Sequence, residues 1–229
     1  MKIIAMSDFH GDYSLAEKIL KKANNPDMIV LTGDITNFGP RPSETKLKVD
    51  EVDKSALKLL DIINTIYPNN TILAIPGNCD QRSILNTLDE SSAINLHKKM
   101  YKKDDIVFLG LGGSNPTPFN TPYELTEEEI SNSLKELLDK ASGFKGKKTV
   151  LVTHAPPKNT LDKVSKVRVG SEALTEAIGS VDLILCGHIH ECQGVKEISG
   201  TKIVNSGSAS RGHGALIEIN DEIKVDLLT

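Results

Sequence analysis

Five short blocks of the sequence carry side chains that bind divalent metals through oxygen or nitrogen. Each block follows a run of apolar residues that is typical of a buried strand. Carboxylate, amide and imidazole ligands in this number are enough for two neighbouring ions. The blocks are SDFHGD with Asp8 and His10, GDIT with Asp34, GNCD with Asn78, THAPP with His154, and GHIH with His188 and His190.

Asp34 is the natural group to bridge two ions, because it is the only ligand of its block and a carboxylate has two oxygens. Ions roughly 3.5 to 4 Å apart would activate a bridging water and neutralise the phosphoryl oxygens of a bound ester. The pattern therefore predicts hydrolysis of a phosphate ester. The ligand types favour two divalent ions, manganese first, with iron, zinc, nickel or magnesium as alternatives to it.

The elements that must position these blocks alternate between strand and helix. This alternation predicts a largely parallel sheet with helices outside, and five blocks that converge beyond the carboxyl ends of the strands. From residue 194 onward, short strands joined by turns predict an antiparallel tail that could add a second sheet. Strands are predicted over 2–6, 28–32, 71–75, 106–111, 149–153 and 183–186, and helices over 14–23, 48–67, 80–88, 126–140 and 171–178.

Composition narrows the class of protein. A chain of 229 residues, 38% hydrophobic and 25% charged, is long enough to bury one sizeable core, so we expect a single domain over residues 1–229. The net charge of -4, with scattered Lys and Arg, predicts no dedicated nucleic-acid surface. Short apolar runs predict no membrane span and no signal peptide, and three cysteines without a CxxC pair fit a cytoplasmic protein.

In chain order, the blocks resemble the calcineurin-like metallophosphoesterase superfamily, whose pattern is DxH, GD, GNH[DE], a single His and GHxH. The resemblance covers the chain from Asp8 to His190, and the NSGS turn at 205–208 is similar to a turn of the small bacterial and archaeal phosphodiesterase branch. It implies an α/β/β/α sandwich in which two central mixed sheets are flanked by helices. It also implies two ligand sets that share Asp34, namely Asp8, His10, Asp34 and His190 for one ion, and Asp34, Asn78, His154 and His188 for the other.

The GNCD block departs from that pattern, because Cys79 stands where most of the superfamily has His. The resemblance gives that His the task of protonating the leaving oxygen or contacting the phosphate. A thiol with a pKa of about 8.5 is a weaker acid than imidazolium, so we expect efficient turnover only of esters with acidic leaving groups. The catalytic candidates are Asn78, Cys79, Asp80 and His154.

The leading hypothesis is a phosphodiesterase acting on a small phosphoester. A phosphomonoesterase or nuclease on the same site remains an alternative, as does a non-enzymatic protein-binding platform, which would be marked by lost ligands. The segments 115–122 and 157–168 are candidates for the cleft walls. Asn37, Arg41 and Arg82 are candidates for substrate contact, and His97, among lysines, is expected at the surface.

Overall fold

The computed structural model describes residues 1–37, 49–144 and 148–229. Over these ranges it has four α-helices, α1 (Ala16–Lys22), α2 (Val49–Ile66), α3 (Ile84–Asp89) and α4 (Glu127–Ser142). The first seven strands are β1 (Lys2–Met6), β2 (Met28–Leu31), β3 (Thr71–Ala74), β4 (Ile94–Asn95), β5 (Met100–Lys103), β6 (Ile106–Leu111) and β7 (Lys148–Thr153). The other seven are β8 (Lys163–Val164), β9 (Val167–Arg168), β10 (Leu183–Cys186), β11 (Gly194–Ile198), β12 (Thr201–Asn205), β13 (Gly214–Ile219) and β14 (Ile223–Leu228).

Two six-stranded mixed sheets form the centre of the fold. The first has the order β14-β13-β1-β2-β3-β4 and the second the order β11-β12-β10-β7-β6-β5, while β8 and β9 form a separate ribbon. Strands β1, β2 and β3 are parallel neighbours in the first sheet, and β6, β7, β10 and β12 are parallel neighbours in the second. The carboxyl ends of the central strands of each sheet therefore share one edge.

Alternation of side chains along these strands builds three apolar layers. In β1, Ile4 and Met6 face the cluster formed with α1, α2 and α3, whereas Ile3 and Ala5 face the second sheet. The opposite face of the second sheet packs against α4, which begins at a complete capping box between Thr126 and Glu129. The predicted α/β/β/α sandwich is confirmed, because each sheet buries one face on the other and one face under helices.

Several local predictions need correction. The tail after residue 194 is not a sheet of its own: β13 and β14 extend the first sheet beside β1, and β12 lies parallel to β10 in the second. The predicted helix over 171–178 is a short 3-10 helix, Ala173–Ala177, and the short strands β4 and β5 were not predicted. The beginning of the helix predicted from residue 48 lies partly outside the described residues, as does Arg41.

The prediction that His97 lies at the surface is wrong. Its side chain is buried, with Nδ1 accepting the backbone N–H of Gly112 over 3.0 Å and Nε2 lying 3.1 Å from the Tyr123 hydroxyl. Burial, followed by the nearby Lys98, lowers the pKa of His97 to about 4. The neighbouring lysines suggested exposure, but a neutral imidazole between two hydrogen-bond partners belongs to the interior.

Candidate metal centre

The seven predicted ligands come together at the shared edge of the two sheets. The blocks with Asp8, Asp34 and Asn78 follow β1, β2 and β3, which lie side by side in the first sheet. The blocks with His154 and His188 follow β7 and β10, which lie side by side in the second. Parallel strands end at the same edge, and the facing sheets bring the two groups of blocks opposite one another.

One half of the centre contains Asp8, His10 and His190. Asp8 Oδ1 lies 3.1 Å from His190 Nε2 and 3.8 Å from His10 Nε2, and the two Nε2 atoms are 3.3 Å apart. The other carboxylate oxygen of Asp8 accepts the backbone N–H of His188 over 2.9 Å. Three side chains thus direct ligand atoms at one point, and the His188 N–H fixes the orientation of the Asp8 carboxylate.

The other half contains Asn78 and His154, with His188 beside them. Asn78 Oδ1 lies 2.9 Å from His154 Nε2, and His154 Nδ1 lies 2.8 Å from the carbonyl oxygen of Thr32. The carbonyl fixes the orientation of the imidazole, so that Nε2 faces the cluster. The His188 ring packs edge-on against His154, with their centroids 5.0 Å apart.

Asp34 lies between the two halves. Its Oδ2 is 3.7 Å from His10 Nε2 and 3.5 Å from His154 Nε2. Its Oδ1 accepts the backbone N–H of Cys79 over 2.8 Å. The carboxylate is therefore fixed on one side and faces histidines from both predicted ligand sets on the other.

Backbone conformation is unusual at the ligand positions. Asp8, His10, Asp34 and His188 all have positive φ, at 57°, 49°, 50° and 66°. The left-handed region is strained for residues with a side chain, and such strain persists only where the surrounding structure enforces it. Four strained positions in one cluster indicate that the turns after the strands are shaped for a function rather than for stability.

Two glycines of the motifs are required by close approach. A Cβ on Gly77 would lie 2.0 Å from Asp34 Oδ1, and a Cβ on Gly187 would lie 2.0 Å from Ser7 Oγ and 2.5 Å from Asp8 Oδ2. The glycines of the GN and GH pairs therefore make room for the two carboxylates. Any larger residue would displace the ligand that it touches.

The charges of the centre are strongly coupled. Burial alone would raise the pKa of Asp34, but His154, His10 and the Cys79 N–H lower it below its usual value. Burial alone would lower the pKa of His154, but Asp34 and Asp8 raise it to about 9. Both carboxylates are anionic at neutral pH, since the pKa of Asp8 is also lowered by His190 and His154 against the effect of burial.

The two remaining residues of the GNCD block face different ways. The Cys79 thiol lies within 4.8 Å of a ring nitrogen of His10 and a carboxylate oxygen of Asp34, so it borders the cluster, and burial and Asp34 raise its pKa. Asp80 is fully buried and accepts the backbone N–H groups of Ile35, Thr36 and Gly77. Its carboxylate braces the GD and GN turns against each other, which positions the ligands, and the catalytic role expected from the sequence stays a prediction.

A second loop supports Asn78 in a way that the sequence did not predict. Asn78 Nδ2 donates to Thr121 Oγ1 over 3.0 Å, and Thr121 Oγ1 in turn donates to Glu124 Oε1 over 2.7 Å. These two hydrogen bonds orient the Asn78 amide so that its oxygen faces His154. Neither residue lies in a ligand block, and the only signal in the sequence was the turn-rich composition of the segment.

The NSGS turn holds two blocks in place. Asn205 Nδ2 donates to the carbonyl oxygens of Gly187 and Ile189, at 3.1 and 3.0 Å. Ser208 Oγ donates to the carbonyl oxygen of Asp8 over 2.9 Å. The turn therefore connects the GHIH block to the SDFHGD block.

A cavity of about 940 Å³ opens onto the centre, with Asn78, His188 and His190 among its lining residues. Residues of both predicted wall segments line it, which confirms their place in the cleft. Arg82 instead lies over the Tyr123 ring at 4.7 Å and donates to the carbonyl oxygen of Glu124. Asn37 is exposed and donates its backbone N–H to Ser55.

The donor set fits divalent metal ions. Asp8 Oδ1 is buried and, among the residues that the structure describes, accepts no well-aligned hydrogen bond, although His190 Nε2 lies 3.1 Å away. A buried carboxylate oxygen without a partner is costly unless a cation completes its environment. Triplets of ligand atoms within 4.8 Å of one another include Asp8, His10 and His190 on one side and Asp8, Asp34 and His154 on the other.

Comparison with known proteins assigns the family. The model of the calcineurin-like phosphoesterases matches residues 1–192, which contain all seven predicted ligands. The chain belongs to the calcineurin-like phosphoesterases. Members of this family are phosphoester hydrolases that depend on divalent metals, so the resemblance read from the five blocks is confirmed.

Relatives of this calcineurin-like phosphoesterase span nearly the whole chain. The protein MJ1162 of Methanocaldococcus jannaschii is 36% identical over 92% of this chain and 89% of its own length. A probable glycerophosphodiester phosphodiesterase of Arcobacter nitrofigilis is 28% identical over 89% of this chain and 70% of its own length. The crystal structure of TT1561 of Thermus thermophilus shares the fold, with a TM-score of 0.68 at 18% identity over 98% of this chain and 97% of that one.

Among the described residues, no helix is long and apolar enough to cross a membrane. Localisation in the cytoplasm stays a prediction from the sequence.

Proposed function

We propose that this chain is a phosphodiesterase that holds two divalent metal ions and hydrolyses a small phosphodiester. The observation that carries the proposal is the position of Asp34, whose Oδ2 lies 3.7 Å from His10 Nε2 and 3.5 Å from His154 Nε2. A carboxylate between two ligand groups that contain imidazoles is well placed to bridge two ions. Asp8, His10, Asp34 and His190 would hold one ion, and Asp34, Asn78, His154 and His188 the other.

When bound, divalent ions supply Lewis acidity, which lowers the pKa of water and neutralises the phosphoryl oxygens. The chain itself provides the fixed geometry. Asp80 braces the turns that carry Asp34 and Asn78, and the Cys79 N–H fixes the outer oxygen of Asp34. Held this rigidly, the ligands need no reorganisation during the reaction, which is the protein's main contribution to the rate.

We assign Cys79 as the side chain beside the leaving oxygen. Its thiol borders the cluster at the position where the family has an imidazole, and it replaces a strong proton donor with a weak one. A weak donor suits substrates whose leaving group needs little protonation, such as aryl esters. We therefore expect slow turnover of alkyl esters.

A small diester is favoured over a nucleic acid by the charges of the cleft. Among the described residues, its lining combines Lys158 and Arg168 with Glu127, Glu172 and Glu191, and these offer no continuous basic path for a polyanion. A diester is favoured over a monoester by the relative named as a probable glycerophosphodiester phosphodiesterase. Manganese is the ion that we propose, in line with the oxygen and nitrogen ligands.

The test is to measure metal content and hydrolysis together. Protein loaded with Mn²⁺ is assayed on bis(4-nitrophenyl) phosphate and on 4-nitrophenyl phosphate, alongside the variants Asp34→Asn and Asn78→Ala. Asp226→Asn, which alters an exposed carboxylate on β14, is the matched control for Asp34→Asn. We expect two ions per chain and preference for the diester in the wild type and the control, and loss of metal and activity in Asp34→Asn. Activity that survives chelation and both centre substitutions would overturn the proposal.

A further inference from the structure

The cavity beside the metal centre has one apolar wall. Seven large apolar side chains of the described residues are exposed, and three of them, Phe119, Val164 and Val167, line this one cavity. Phe119 and Val167 are the two most exposed of the seven, at 82% and 62%. Exposed apolar surface that gathers in a concave site beside reactive groups is typical of ligand binding rather than of chance.

The segment that carries Phe119 is fixed to the centre. The backbone N–H of Phe119 donates to Thr117 Oγ1 over 3.2 Å, and Thr117 Oγ1 donates to Glu124 Oε1 over 2.6 Å. Glu124 also accepts from Thr121, which holds Asn78. The backbone of Phe119 is therefore connected by hydrogen bonds to a predicted metal ligand, which fixes this segment relative to the centre.

The ribbon that carries the two valines is fixed as well. Asp162, fully buried, accepts the backbone N–H groups of Asn159 and Gly170 and a guanidinium N–H of Arg168, at 3.0, 3.1 and 2.9 Å. Asn115 Nδ2 donates to the carbonyl oxygen of Val169 over 3.2 Å and so joins the two walls. A preformed apolar surface binds a ligand without the entropic cost of ordering loops.

We propose that Phe119, Val164 and Val167 form the subsite for an aromatic group carried by the phosphoester substrate. The inference rests on the proposed function, because the phosphoryl group would sit at the metal centre while the organic group extends along the wall. An aromatic ring fits this surface best, since it can pack on the Phe119 ring and bury the two valine side chains at once. A methyl group has too little apolar surface to gain much from this wall.

The test uses two phosphonates that have the same head group and differ in one substituent. Binding of phenylphosphonate and methylphosphonate to the protein loaded with Mn²⁺ is measured by isothermal titration calorimetry. Burial of a phenyl ring predicts a dissociation constant roughly tenfold lower for phenylphosphonate. The ratio of the dissociation constant for methylphosphonate to that for phenylphosphonate should therefore be about ten in the wild type. In Phe119→Ala and Val167→Thr this ratio should fall towards one, while the dissociation constant for methylphosphonate stays unchanged.

Matched controls separate this subsite from general effects. Val195→Thr alters an exposed valine on β11 that does not line the cavity, and it should keep the wild-type ratio. No preference for the phenyl group in the wild type, or a preference that survives both cavity substitutions, would overturn the proposal. A third result would also overturn it: Phe119→Ala and Val167→Thr keep the wild-type ratio of dissociation constants but change the oligomeric state, as measured by light scattering. The apolar surface would then join copies of the chain.

Failure of the proposed function gives a different result. If the metal centre does not bind phosphoryl groups, neither phosphonate binds to the wild type or to Asp34→Asn. If the centre binds but the subsite does not exist, both phosphonates bind with equal strength and only Asp34→Asn loses them.

Discussion

Cys79 donates its backbone N–H to Asp34 Oδ1 over 2.8 Å, while its thiol borders the same carboxylate. The residue that departs from the family pattern thus has two separate tasks. Its backbone fixes the proposed bridging ligand, and any residue except proline can preserve that bond. In the proposed function, its side chain would lie beside the leaving group, and there the chemistry depends on the residue.

Substitution of Cys79 should therefore change the reaction but not the metal content. We expect the rate of the wild type to fall steeply as the pKa of the leaving phenol rises, and Cys79→His to flatten this dependence. A positioned general acid contributes about 10²-fold or more, so the poorest leaving groups should gain at least tenfold. The measurement is a series of aryl diesters, with metal content determined for each protein. A shallow dependence in the wild type, or a slope that Cys79→His leaves steep, would contradict the assignment; Cys79→Ser should bind both ions and keep the steep slope.

Thr121 should control metal affinity through Asn78. Thr121→Val keeps the shape of the side chain but removes the oxygen that accepts from Asn78 Nδ2, so the amide can rotate away from His154. Groups that orient metal ligands are worth roughly 10- to 100-fold in affinity, and we expect a loss in this range. Titration with Mn²⁺ measures it. Thr121→Ser retains the hydroxyl and should restore most of the affinity; equal affinities for the two variants would mean that the hydrogen bond does not matter.

Metal should stabilise the fold through Asp8. Its Oδ1 is buried and accepts no well-aligned hydrogen bond among the described residues, with His190 Nε2 3.1 Å away, so an ion would complete its environment. A ligand at 100 times its dissociation constant adds about 2.7 kcal/mol to the free energy of unfolding, and a chain of this size should gain roughly 5 to 10 °C in Tm. Thermal unfolding with and without Mn²⁺ measures the gain. Asp8→Asn should lose most of it and Asp226→Asn none; a full gain in Asp8→Asn would argue against Asp8 as a ligand.

His97 should make stability depend on pH in a defined window. Its pKa is about 4 in the folded chain and about 6.5 when unfolded, because burial opposes the charged form. Between these values the unfolded state binds a proton that the folded state does not, so the free energy of unfolding falls as pH falls from 6.5 to 4 and this contribution is constant outside the window. The loss should reach about 3 kcal/mol.

Urea unfolding at several pH values tests this effect. His97→Gln cannot titrate and should have a lower stability at pH 7, because it loses bonds to Gly112 or Tyr123, but a shallower decline from pH 6.5 to 4. Other groups titrate in both proteins, so the difference between the two curves isolates His97. Parallel curves would show that His97 does not cause the decline.

Much of the centre could be predicted from the sequence, because ligand type and position after a strand are local properties. Asp8, Asp34, Asn78, His154 and His188 each follow a strand of parallel neighbours, and such strands must end at one edge. The strands themselves were readable from their apolar runs, and α4 from its capping box. The α/β/β/α class followed from the family resemblance and the order of the elements.

The tertiary structure decided what depends on contacts between distant segments. The tail was expected to be antiparallel and able to add a second sheet, but β12 and β13 join different sheets, because strand pairing is set by which edge is free and not by the turn before it. His97 was expected in water because its neighbours are lysines, yet Gly112 and Tyr123, 15 and 26 residues away, bury it.

The sequence by itself determined which atoms could bind metal and at which edge of the fold they would meet. Only the folded chain decided how they are held: Asp80 as a brace for two turns, Thr121 as the partner of Asn78, and the cavity wall that includes Phe119. The physical reason is that ligand chemistry belongs to single side chains, whereas orientation, burial and the shape of a cavity arise from contacts between residues far apart in the sequence.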